Sequence, residues 1–223
     1  MPGRHRQLKE TMININTHSS IKICEDGPVA YFDPWKIIGA PHDADVICVT
    51  HDHFDHYSVE DIKKISKNET VLIAPESYKE RIGKELANER MQLVFLNAGD
   101  EREFNGIKIE AVPSYNVGKD FHPKFAGNLG YVATFSETRY YVAGDTDDNE
   151  DVRNVKCDIA LVPIGGKYTM TAEEAAGLIN AIRPRIAIPT HYGDIIGDKK
   201  DAATFRAAVS DDIEVIGYVR VRP

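Results

Sequence analysis

The chain has 223 residues, 42% of them apolar and 28% charged, and 27 Lys and Arg against 35 Asp and Glu leave a formal net charge of −8. That length suits one large domain that folds without a disulfide or a structural metal. Net negative charge with no concentrated basic run argues against a nucleic-acid partner, and no apolar stretch nears the roughly 18 to 20 residues of a membrane-spanning helix.

Residues 1–11 carry charge with no apolar core behind them and read as a flexible leader rather than a secretory signal. Short strands are expected over 12–18, 19–25, 29–33 and 45–50, with a turn at Asp26, Gly27 and Pro28, as an antiparallel meander. Helix and strand then interleave: a helix over 58–66 with Ser58 as N-cap, a strand over 71–74, a helix over 76–88, and strands over 92–96 and 107–112. A loop of more than a dozen residues, 116–129, is long enough to be functional. Strands over 130–135, 139–143 and 159–163 follow, then a helix over 172–182, a strand over 185–189, a helix over 202–209 and a closing strand over 214–221. Thr171 and Glu174 form a capping box at the start of the 172–182 helix. Two segments echo each other, 46–51 and 186–191, each an apolar strand ending in Thr-His; the chain reads as a domain of two similar halves. Cys24, Cys48 and Cys157 are odd in number and widely spaced, as reduced thiols of a cytoplasmic protein would be.

The chemistry concentrates in the run Thr50, His51, Asp52, His53, Phe54, Asp55, His56, placed directly after a strand. In extended chain His51 and His53 project to the same side and can share one cation. Asp55 and His56, past a turn, can face a second. No two cysteines are spaced to close a structural zinc site.

This H-x-H-x-D-H pattern at a strand end resembles the signature of the metallo-β-lactamase superfamily, whose fold is a four-layer αββα sandwich of the α/β class. The likeness continues in Tyr140-Tyr-Val-Ala-Gly-Asp-Thr146 and in Pro189-Thr-His-Tyr-Gly193. It is narrowest toward the branch of ascorbate-6-phosphate lactonases and N-acylethanolamine-releasing phospholipase D, through Ala143-Gly-Asp-Thr146, the segment 162–170 and the segment 14–20. The resemblance implies His51 and His53 on one ion, Asp55, His56 and His191 on another, and Asp145 between them. Asn116 stands where the superfamily usually has a third histidine on the first ion. An amide oxygen is the weaker, harder ligand, so that site would bind loosely or favour manganese or iron over zinc. His122, six residues on, is placed to compensate as a ligand or as an acid that meets the substrate.

The implied function is hydrolysis with one or two divalent ions, zinc first and manganese or iron as alternatives. A metal-bound hydroxide, oriented by Asp55, would attack an ester, lactone or phosphodiester of a small and anionic molecule. Lys124, Lys167 and Tyr168 are candidates for contact with substrate anions. His18 can approach the ions from the first hairpin, Asp33 is expected to support the site without ligating, and His5 and His42 are expected to face solvent. The motif is not the H-x-E-x-D of di-iron flavoprotein reductases, so redox chemistry is not expected. Two other readings stay open: a nucleic-acid phosphodiesterase, and a catalytically silent metal-binding sensor or scaffold, which the Asn116 departure keeps alive. A homo-oligomer is compatible with the composition.

Overall fold

The computed structural model describes residues 12–217. The expected leader, His5 and positions 218–221 of the closing strand lie outside them. Three strands, β1 (Met12–Thr17), β2 (Ser20–Cys24) and β3 (Val29–Phe32), pair antiparallel in register order. β4 (Ala44–Cys48) joins β3 in parallel, so the meander ends one strand earlier than the sequence suggested. The reason lies in the connection: residues 33–43 carry the chain back to its starting end before β4 begins, and only a crossover of that kind permits parallel pairing.

Helix α1 (Val59–Ile65) is capped by the Ser58 side chain and runs straight into β5 (Ser66–Pro75), a strand five residues longer at its start than its apolar run indicates. Helix α2 (Lys79–Glu85) and β6 (Gln92–Leu96) complete a six-stranded sheet ordered β1-β2-β3-β4-β5-β6. Ile62 and Ile65 of α1 and Ile82 of α2 pack on its outer face against Tyr31, Ile47 and Leu72.

A hairpin opens the second sheet. β7 (Glu101–Phe104) was not expected, since its Glu-Arg-Glu-Phe sequence lacks apolar alternation, yet it pairs with β8 (Ile107–Pro113) across Asn105-Gly106. Both turn residues have positive φ, the requirement that makes Asn-Gly a strong hairpin signal. β9 (Leu129–Phe135), β10 (Thr138–Val142), β11 (Ile159–Pro163), β12 (Ile186–Thr190) and the two-residue β13 (Glu214–Val215) extend the sheet in the order β13-β12-β11-β10-β9-β8-β7.

Helices α3 (Ala172–Ile182) and α4 (Asp201–Ala208) cover this second sheet. On α3 the buried positions Ala172, Ala175, Ala176, Ile179 and Ile182 recur at helical spacing, so one stripe faces β11 and Phe205 of α4. Between the sheets lies the main core, to which the first contributes Ile23, Phe32, Val46 and Ile73 and the second Tyr131, Phe135, Tyr140 and Leu161. The layers are therefore helix, sheet, sheet, helix, the expected αββα sandwich. The two echoing strands β4 and β12 sit in opposite sheets.

Candidate metal centre

β4 ends at Cys48 because Val49, Thr50 and His51 turn out of the sheet onto a buried carboxylate. Asp33 accepts hydrogen bonds from the Thr50 amide (2.8 Å) and the Thr50 hydroxyl (2.7 Å). The same carboxylate lies 2.7 Å from His56 Nδ1. Asp33 thus supports the site from behind, as expected: with Nδ1–H donating to it, His56 presents Nε2 to the interior. Burial opposes charge on His56, but Asp145 and Asp33 outweigh it and raise its pKa to about 9, so a cation that takes Nε2 would displace a proton from it.

Three trios of ligand atoms converge here. In the first, His53 Nδ1 lies 3.0 Å from His51 Nε2 and 3.1 Å from His122 Nε2. The second comprises His51, His56 and Asp145, with His56 Nε2 3.4 Å from Asp145 Oδ1. The third comprises His18, Asp55 and His191, with Asp55 Oδ2 3.2 Å from His18 Nε2 and 3.8 Å from His191 Nε2. Asp145 ties them together: its Oδ2 is 3.5 Å from His122 Nε2 and 3.1 Å from His191 Nε2.

Every residue of the H-x-H-x-D-H run named as a ligand, together with Asp145 and His191, faces this one space. His122 completes the trio with His51 and His53. Asn116 sits behind it, and its Nδ2 donates to the carbonyls of Tyr168 (2.6 Å) and Phe121 (3.0 Å) while its backbone amide donates to His122 (2.8 Å). The His18 ring lies 3.7 Å from that of His191, and the His191 amide donates to the His18 carbonyl at 3.1 Å. His18, Asp33, His122 and His191 all have positive φ, which costs a non-glycine residue about 1 to 2 kcal/mol each. Strain collected at one place marks a site where geometry outranks local stability. His42 is exposed, as expected, with Nδ1 against the Ser66 carbonyl. Lys124 is paired with Asp151 at 2.8 Å, Tyr168 packs edge-on against Phe121, and Lys167 reaches over the Tyr168 ring.

The donor set fits divalent cations on an observation internal to the fold. Buried His56 Nε2, His191 Nε2 and Asp145 Oδ1 all lack a hydrogen-bond partner and all face the same space. Buried polar atoms are otherwise almost always satisfied, so a shared cation accounts for them together. Close packing keeps the space tight: a Cβ on Gly165 would lie 2.5 Å from the His191 carbonyl oxygen.

Residues 12–191 match the family model of the beta-lactamase superfamily domain. The chain belongs to that superfamily. The superfamily member is 35% identical over 187 residues to the UPF0173 metal-dependent hydrolase of Thermoplasma acidophilum, covering 82% of this chain and 78% of that one. Its fold matches a crystal structure from Parabacteroides distasonis with a TM-score of 0.79 and 31% identity, over 93% of this chain and 92% of that one. Igni18, a metallo hydrolase from Ignicoccus hospitalis, shares the fold at a TM-score of 0.73 and 21% identity, over 93% and 94% of the two chains. This superfamily member is a metal-dependent hydrolase of the metallo-β-lactamase fold.

Proposed function

We propose that the protein cleaves an ester, lactone or phosphodiester in a small molecule, using two divalent cations held on either side of Asp145. The observation that carries this reading is the convergence of the His51, His53, His122 trio and the His18, Asp55, His191 trio on one carboxylate. His51, His53 and His122 would hold one ion, and Asp55, His56 and His191 the other, with His18 hydrogen-bonded to Asp55 beside them. Three imidazoles in the first set favour zinc over the manganese or iron that an Asn116 ligand would suit. When bound, such ions make water nucleophilic near neutral pH and polarise the oxygen of the group under attack.

The chain's own residues supply orientation. Burial would raise the Asp55 pKa, but the His18 hydrogen bond and the His56 charge hold it at about 2. Asp55 therefore stays a carboxylate at neutral pH and can accept a hydrogen bond from the attacking water. Asp33, on His56 Nδ1, fixes that ring so that Nε2 stays available. Lys167 has no carboxylate partner among the described residues and stands in the loop after β11, where it can meet an anionic part of the substrate. Free Cys24, Cys48 and Cys157 support a working place in a reducing, cytoplasmic compartment.

Metal analysis of the purified protein, paired with a panel of generic carboxylic-ester, lactone and phosphodiester substrates, tests the proposal against His53→Ala. Loss of metal and turnover together in the variant is expected. Equal turnover by the variant, or no bound metal in the wild type, sinks it.

A further inference from the structure

We infer that the substrate carries an extended apolar group, an acyl chain or a comparable hydrocarbon arm, which lies on an aromatic rim around the metal centre; this rests on the hydrolase reading above. Among the described residues, large side chains that stand in water despite being apolar are Ile38, Phe54, Val117, Phe121, Phe125, Ile195 and Ile216. All but Ile216 sit in the loops that follow β3, β4, β8 and β12; those after β4, β8 and β12 deliver proposed ligands, and the one after β3 carries Asp33 and Trp35. Scattered single exposures are ordinary on any surface, whereas apolar surface concentrated at one place marks a binding face.

The rings are fixed to the ligands themselves. Phe54, 67% exposed, stands between His53 and Asp55, and Phe121, 49% exposed, immediately precedes His122. Each is braced by a second aromatic: Trp35 packs edge-on to Phe54 at 5.9 Å, and Tyr168 edge-on to Phe121 at 4.7 Å. Trp35 also lies 6.0 Å from the His18 ring, and the Tyr168 carbonyl faces His122 Nδ1 at 3.2 Å. One aromatic pair therefore borders the His18 side of the centre and the other its His122 side. The inferred apolar arm would lie against one or both of these pairs while the scissile group meets the centre. Each pair carries a lysine over one ring, Lys36 3.9 Å from the centre of Trp35 and Lys167 5.0 Å from that of Tyr168. A bare, highly polar substrate gains nothing from such walls, while each methylene laid against them favours binding.

Trp35 is the chain's only tryptophan, so its fluorescence reports binding without turnover. The experiment compares p-nitrophenyl acetate with the octanoate in the metal-loaded protein, and methyl- with octylphosphonate as uncleaved ligands followed by Trp35 emission. Full burial of a methylene is worth roughly a fourfold gain, so partial cover predicts kcat/KM at least about tenfold higher for octanoate. The Phe54→Ser, Phe121→Ser double variant, changed only at exposed rings, should bring that ratio to within about twofold at unchanged metal content. If the acetate is cleaved but the wild-type ratio is flat, the inference is overturned while the hydrolase reading stands. If no ester is cleaved but octylphosphonate binds more tightly than methylphosphonate and the double variant removes the difference, the apolar arm is supported and the ester reading fails. A dimer in sedimentation that Phe54→Ser dissociates would show the rim to be covered by a second copy, which also overturns the inference.

Discussion

His122 reaches the centre through Asn116. The amide of Asn116 donates to the carbonyls of Phe121 and Tyr168, drawing the tip of the 114–128 loop against the loop after β11 and bringing the His122 ring in beside His53. If the centre holds two ions as proposed, His122→Ala should remove one of them, counted by elemental analysis. Asn116→Ala should leave both in place but weaken one by roughly 10- to 100-fold, the usual effect of losing a supporting hydrogen bond. Competition with a coloured chelator reads that difference. Gly165→Ala tests the tightness of the opposite wall: its new Cβ collides with the His191 backbone, and loss of the second ion with lowered thermal stability is the expected result. The H-x-H-x-D-H run, Asp145 and His191 were legible because each follows an apolar strand at a fixed offset. Which of Asn116 and His122 faces the ions was not, since a loop has no period from which to read direction. His18 was open for the same reason: its place depends on a tight turn at positive φ and on contact with a residue far along the chain.

At the scale of elements, most helices and buried strands followed their apolar periodicity; the helix expected over 76–88 is an α-helix only over Lys79–Glu85, after a 3₁₀ turn at Glu76–Tyr78. β7 is an edge strand of charged residues held by the ladder to β8 rather than by burial, so its composition gave no sign while its Asn-Gly turn did. The early part of β5 is likewise polar: Ser66 pairs with Ala44, and the register then jumps to Val71 opposite Val46. Helix α3 was readable to the residue because capping box and stripe agree. Thr171→Ala removes the acceptor for the Glu174 amide and should lower unfolding free energy by about 1 kcal/mol in a urea titration. Since α3 packs on the outer face of its sheet, metal content should not change.

Across the whole molecule the acidity noted at the outset is partly structural. Burial would raise the Asp43 pKa, but hydrogen bonds from Lys22 and Tyr31 hold it below the ordinary carboxylate value. A depressed carboxylate stabilises the fold above its unfolded pKa of roughly 3.9 and stops doing so as pH falls through the folded value. Asp43→Asn should thus melt lower than wild type at pH 7, with the gap narrowing below about pH 4 in parallel thermal melts.

The echoing strands β4 and β12 have a further consequence. They belong to different sheets, yet His51 and His191 meet at one centre, so any cation held there would also rivet the two sheets together at one end of the sandwich. Ligand linkage makes such a rivet worth about 2.7 kcal/mol when free metal stands at 100 times its Kd. Stripping metal with a chelator should then do more than stop turnover: amide exchange should quicken first along the seam between β4 and β12, and the melting temperature should track free metal concentration.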